Sequence, residues 1–254
     1  MSRPDGRSND QLRKVEIELG GLARVDGSAR FSFGGCRALA SVTGPVEVRQ
    51  LIELPDRATF EVAVRPVAGV PGTSPVFTSY PVPLMLDKRI SVATPEKALA
   101  KHIHDVLHPT LLLTQHPRSL IQLTILSLSP VSSSPSYAAT HINAATLALL
   151  NAASIQMRGV VCAVAVGISK NGGDVVLDPA DERECVRAGC FAFFFSGTEA
   201  PEGEVVWADW KGATTKEEYA SAVKLARAGA KQILHLIQIS VLGQGRTDSQ
   251  MDLS

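Results

Sequence analysis

The stretch "SSPSYAATHINAA", residues 133–145, joins the apolar run "SLIQLTILSLS" to a long alanine-rich helical pattern. A strand that turns through small residues into a helix N-terminus is a natural anion seat. Free backbone N–H groups and the positive end of the helix dipole converge there. This turn nevertheless contains no Gly, Arg or Lys, and Tyr137 stands where a phosphate-gripping side chain is expected. Other residues of chemical type are scattered. His102, His104 and His108 include one i, i+4 pair on a helix face, His104 and His108, but no carboxylate or Cys is fixed beside them by spacing, so surface histidines are favoured over a zinc site. The glycines of "ELGGLARVDG" and "SFGGC" do not form a dinucleotide-binding loop. No cofactor and no metal site is expected.

The elements that must position these residues alternate. "KVEIELG" and "ARFSFG" read as half-buried strands around an Asp-Gly turn, and "RALASVTGP" and "ATFEVAVRP" continue the strand set. Residues 66–83, rich in Pro and Gly, read as an extended loop. "TPEKALAKHIHDVL" follows as a helix with Thr94 as cap, Pro95 in the first turn, and Leu99, Ile103 and Val106 on its apolar face. After the strand "SLIQLTILSLS", the segment "YAATHINAATLALLNAASIQM" is apolar almost all round, which predicts a deeply packed helix.

The second half repeats the plan. "VVCAVAVG" and "DVVLD" flank "ISKNGG", a hairpin with an Asn-Gly turn, and "CFAFFFS" and "EVVWADW" are further strands. Cys185 and Cys190 fall in a predicted helix or turn. Trp207 and Trp210 read as packing residues rather than base-stacking platforms. A final helix spans about 215–241, with a capping box from Thr214 or Thr215 to Glu217 or Glu218. Strands then helix, twice, predict an α+β fold with mixed sheets and two similar halves. Residues 1–10 and 244–254 read as flexible tails around a domain at 11–243.

Composition narrows the function classes. The 254 residues are 45% hydrophobic and 20% charged, with 25 Lys plus Arg against 25 Asp plus Glu. Zero net charge argues against independent nucleic-acid binding, so RNA contact must be local or shared with partners. No stretch has the length and apolarity of a membrane span, and no apolar leader is evident. Cys36, Cys162, Cys185 and Cys190 form no CxxC pair, and free thiols in an intracellular protein are expected.

Several quoted motifs, in order along the chain, resemble the RNase PH family. The first is "RPDGRSNDQLRKVEIELGGLARVDGSARFSFGGCRALASVTGPVEVR", with its leading RPDGR and its R-x-D-GSA turn. "LPDRATFEV", "HPRSLIQLTIL", "NAASIQMRGVVCAVAVG" and "VVLDPADERE" follow. The resemblance runs from residue 3 to about residue 242. It implies the RNase PH fold, related to the second domain of ribosomal protein S5, and either phosphorolytic 3′-to-5′ exoribonuclease activity or a structural place in the RNA exosome ring.

Carried over residue by residue, the family's phosphate turn D-[AG]-G-[ST]-R falls on Ser133, Ser134, Pro135, Ser136 and Tyr137. Only Ser136 fits the pattern. Pro135 removes an N–H donor, and a tyrosine cannot replace the charged fork of arginine. The family's paired carboxylates, D-L-N-x-x-E-D, fall on Asp178 and Glu184, with Pro179 after the first and Arg183 at the motif's Glu. In the family they act as general acid and metal holder; here a solvated acidic turn is the favoured reading. The family's basic helix face falls on Lys101, His102, His104 and Asp105, a poor phosphate holder.

The three weakened elements together imply a non-catalytic structural subunit of the exosome core ring, supporting rRNA processing and RNA turnover. The implied partners are other RNase PH-like ring subunits, cap subunits with RNA-binding domains, a separate hydrolytic ribonuclease, and single-stranded RNA in the shared channel, with no membrane. Location in the nucleus, including the nucleolus, and in the cytoplasm follows from the same resemblance. Arg49, after "GPVEV", is the candidate RNA contact at the channel neck, with an ordinary exposed Arg as the equal alternative. Two other functions stay open: a phosphate-dependent exoribonuclease using Asp178 and Glu184, and a free-standing homodimeric nucleic-acid-binding protein.

Overall fold

A computed structural model of the chain describes residue 3 and residues 6–66, 94–130, 134–170, 173–180, 185–197 and 200–251. Strands β1 (Val15–Leu19), β2 (Gly27–Phe33), β3 (Cys36–Glu47) and β4 (Thr59–Arg65) come first. Helix α1 (Thr94–Leu107), strand β5 (Ser119–Ser127) and helix α2 (Pro135–Ala152) complete the first half. The second half is β6 (Val160–Ser169), β7 (Val175–Leu177), β8 (Cys185–Ser196), β9 (Ala200–Lys211) and α3 (Lys216–Met251).

The strands form two sheets, in the orders β1-β2-β3-β5-β4 and β7-β6-β8-β9. The first is mixed, because β4 and β5 run parallel on either side of α1 in sequence. The second is wholly antiparallel. Helix α2 lies between them, and its predicted all-round apolarity has that cause: both flanks meet a sheet. Ile142, Leu147, Leu149 and most of its alanines are fully buried, and its Asn143 bonds both the amide and the carbonyl of Ala163 on β6 at 2.7 and 2.8 Å. On α1 the predicted face of Leu99, Ile103 and Val106 is buried. Helix α3 covers the second sheet through Ala222, Ala226, Ala230, Ile233 and Ile237. Its capping box is reciprocal: Thr215 N–H donates to Glu218 Oε2 at 2.9 Å, and Glu218 N–H donates to Thr215 Oγ1 at 3.3 Å.

Several expectations need correction. Helix α2 ends at Ala152 rather than near Met157, because Ala153 turns left-handed at φ 53° without the Gly that usually signals such a stop. Cys185 and Cys190 lie in β8, not in a helix or turn, with Cys190 opening the predicted strand "CFAFFFS"; pairing with β6 overrides the unpatterned sequence before it, and no disulfide joins the four cysteines. The terminal segments read as tails carry contacts and helix where they are described. Arg3 is buried and donates to Leu177 O at 2.8 Å, Leu177 N–H bonds Asn9 O at 2.8 Å, and α3 continues past residue 243 to Met251. Polar residues there serve backbone acceptors at the edge of β7. The loop at 67–83, the Thr94 capping side chain and the Asn171-Gly172 turn lie outside the described residues.

Helix and sheet come close at Gly27, where β2 begins beneath the end of α2. A Cβ built there would sit 2.6 Å from Ala152 Cα. Backbone on backbone cannot yield by rotamer change. Gly27→Ala is therefore expected to destabilise the chain by about 2–3 kcal/mol in urea or thermal unfolding, whereas Gly35→Ala, with open space around it, should fall within about 1 kcal/mol of the parent.

Candidate functional site

The site predicted from the turn after β5 is built at the first turn of α2. Pro135 suits the first helical position, where its missing N–H costs nothing to the helix. The same absence deprives an anion of a donor. Tyr137 does not face the turn. Its side chain is buried, and its hydroxyl lies 2.7 Å from Ser127 Oγ at the end of β5. Ser127 Oγ in turn lies 2.7 Å from His141 Nε2, and His141 Nδ1 lies 2.7 Å from Tyr137 O.

Hydrogen-bond logic fixes the directions in this network. A carbonyl only accepts, so His141 Nδ1 carries the proton and Nε2 accepts from the Ser127 hydroxyl. The Tyr137 hydroxyl then donates to Ser127 Oγ. Every polar atom in the chain of three has a partner, and none is left to hold an anion. Burial pushes the Tyr137 phenol above its usual range and lowers His141 to about 4, the latter opposed in part by its bond to Tyr137 O.

Asp178 is the second predicted site residue, and the structure overturns the solvated-turn reading. It is fully buried, at φ 46°, with its amide donating to Ala165 O at 2.8 Å. Arg13 grips both carboxylate oxygens, Nε to Oδ2 at 2.8 Å and a terminal guanidinium nitrogen to Oδ1 at 2.6 Å. The Arg13 amide adds a bond to Oδ2 at 3.1 Å, and Ser136 Oγ donates to Oδ1 at 2.9 Å. Four donors fill the roughly four acceptor positions of a carboxylate. Ser136, the one residue that fits the phosphate-turn pattern, is thereby committed to Asp178 as well. Arg3 and Arg7 close over the Asp178 carbonyl at 3.3 Å each. Ser133, Arg183 and Glu184 lie outside the described residues.

On α1, Lys101, His102 and Asp105 are exposed. His104 stacks on Phe60 at 5.5 Å and approaches His108 at 5.2 Å. Among the described residues no three His, Cys, Asp or Glu side chains gather as a metal would need. Trp210 packs against Phe191 and Tyr219, while Trp207 stands 5.3 Å from His102 across a cleft between α1 and β9. Arg49 is exposed, in the connection between β3 and β4. Sequence reasoning passed over Arg13, Ser127 and His141; Arg13 just before β1 carried no local mark, since its partner lies 165 residues away.

Two sheets enclose a helix whose first turn bonds a buried aspartate, and sequence comparison gives the class of protein to which this architecture belongs. The profile described as "3′ exoribonuclease family, domain 1" (RNase PH) matches residues 11–154. The chain belongs to the RNase PH family. It is 36% identical over 180 residues to the exosome complex component Rrp41 of Pyrobaculum calidifontis, covering 69% of this chain and 65% of that protein. The matched stretch thus spans just under two thirds of that relative's length. Rrp41 of Thermococcus gammatolerans is 29% identical over 240 residues, 91% of this chain and 84% of that one. Among solved structures, rice Rrp46 superposes with a TM-score of 0.75 at 24% identity, covering 94% of this chain and all of that one. The Archaeoglobus fulgidus exosome with RNA bound to its active site gives 0.66 at 19% identity, covering 92% of each chain.

The buried histidine sets a pH dependence. Its proton affinity is lower in the folded state than in the unfolded chain, so its contribution to stability is complete above the unfolded value of 6.5. That contribution is lost as pH falls toward about 4. Unfolding free energy measured by urea titration is expected to drop by on the order of 3 kcal/mol from this group across that window. In His141→Gln the slope between those pH values should flatten.

Proposed function

We propose that this chain is a non-catalytic, structural subunit of an RNA exosome core ring, and that it supports RNA processing and turnover without cutting RNA itself. One observation carries the reading. The acidic residue at the first position of the family's catalytic pair, Asp178, is saturated by Arg13 and Ser136, while the arginine position of the phosphate turn holds a tyrosine turned into the core. Phosphorolysis needs phosphate as nucleophile and an acid at the leaving oxygen; this arrangement offers a seat to neither. The similarity to exosome components in sequence and the likeness of fold support the ring context.

In that context the partners are other RNase PH-like subunits, cap subunits with RNA-binding domains and a separate hydrolytic ribonuclease. Single-stranded RNA passes through the shared channel. The zero net charge suits a subunit whose surface is given mainly to protein contacts, in the nucleus, nucleolus and cytoplasm.

The test is direct. The purified chain, given single-stranded RNA, inorganic phosphate and magnesium, is expected to release no nucleoside diphosphates. Phosphate-dependent release abolished by Asp178→Ala would establish the phosphorolytic alternative instead. Tyr137→Arg is expected to leave the chain inactive and to destabilise it by roughly 3 kcal/mol, because it buries a charge beside Ser127 and His141.

Arg49 supplies a second test. In a reconstituted ring, Arg49→Glu should leave assembly intact, weaken RNA protection and reduce the salt slope of binding by about 0.7, the loss of one single-strand phosphate contact. Unchanged protection and slope would make Arg49 an ordinary surface residue.

A further inference from the structure

The cleft between α1 and β9, with the first turn of α2 as its floor, encloses about 230 Å³. Its lining includes Glu96, His102, Tyr137, Trp207, Asp209 and Lys211. Glu96 is the anomaly. It is 8% exposed, and its Oε2 is buried with no hydrogen-bond partner among the described residues. The carboxylate lies in the first turn of α1, where the helix dipole eases the cost of a negative charge. A dipole does not replace a donor. A buried carboxylate oxygen with nothing bonded to it is costly, and folded chains rarely keep one without a use.

We propose that this cleft is the seat for an arginine side chain carried by a protein partner, with Glu96 as its carboxylate. The inference rests on the reading that the neighbouring turn no longer serves phosphorolysis, and it gives the cleft a different occupant. Among the described residues the lining holds two carboxylates, Glu96 and Asp209, against one lysine. That balance repels an RNA backbone and attracts a cation. The aromatic wall favours one cation: Trp207 and His102 lie 5.3 Å apart, and while both cations are drawn to such faces, the planar guanidinium also stacks on them and is found there more often than an ammonium. Arginine has five donors and no acceptor, which complements a carboxylate lacking donors. Its flat fork meets both oxygens of a carboxylate at once.

The experiment follows the indole N–H signals of the intact chain by 1H–15N NMR, with Trp207 assigned through Trp207→Phe. The probe is acetyl-Gly-Arg-Gly-amide, compared with the same peptide carrying citrulline, an uncharged isostere. The arginine peptide is expected to move the Trp207 signal saturably at concentrations up to about 10 mM. Trp210 packs instead toward Phe191 and Tyr219, and its signal should stay still. The citrulline peptide should have no effect. Glu96→Gln should weaken binding at least about tenfold, and Asp209→Asn should weaken it less.

Glu96→Gln should also unfold at the same or a higher temperature than the parent, because the charge removed had no partner. A less stable or unfolded Glu96→Gln would make Glu96 a structural residue and overturn the proposal. So would the absence of a saturable shift, or equal shifts from the two peptides. A Trp207 shift produced by a uridine or guanosine oligonucleotide and lost in Glu96→Gln would assign the cleft to RNA bases instead. Diphosphate release is read separately, so an active nuclease would refute the proposed function while the indole titration still decides the occupant of the cleft.

Discussion

The ion pair of Arg13 and Asp178 is the constraint on which the rest of the site depends. Four donors converge on one buried carboxylate, and they come from two places: the segment entering β1 and the first turn of α2. The carboxylate itself hangs from the end of β7. Three regions far apart in sequence are thereby held at fixed separation. Removing the guanidinium alone would strand a charge in the interior, at a cost of about 3–5 kcal/mol. A carboxylate with every acceptor position filled has none left for a further donor, which on the proposed function is why Asp178 takes no part in phosphorolysis.

Tyr137 follows the same logic. Its phenol joins Ser127 and His141 in a closed relay of hydrogen bonds, so a side chain of the first helical turn belongs to the core between the sheets. On the proposed function, a position that would grip phosphate is given over to packing.

Much of the fold was legible because local pattern and final environment agree. Strands β1 to β5 show period-two patterning, α1 shows one apolar face, and the capping box at Thr215 is written in adjacent residues. Helix α2 announced its central place through apolarity on every side. What stayed hidden depends on long-range partners. Nothing near Asp178 indicates Arg13, so a polar acidic run read as solvated. Ala153 adopts a glycine's conformation without being one, which concealed the end of α2. The exposed faces of α1 gave a fair view of Lys101 and the histidines, but not of Glu96, whose burial depends on a strand more than a hundred residues later.

The grip of Arg3 on the carbonyls of Leu177 and Asp178 spans 174 and 175 residues of chain. During synthesis the first residues leave the ribosome well before their acceptors exist, by roughly 10–35 s at ordinary elongation rates. Through that interval Arg3, Arg7 and Arg13 lack the Leu177 and Asp178 acceptors, and the first sheet must stand without that clasp. The clasp also pays the entropy of closing a very long loop. Its formation therefore waits on the end of β7, 174 and 175 residues after Arg3.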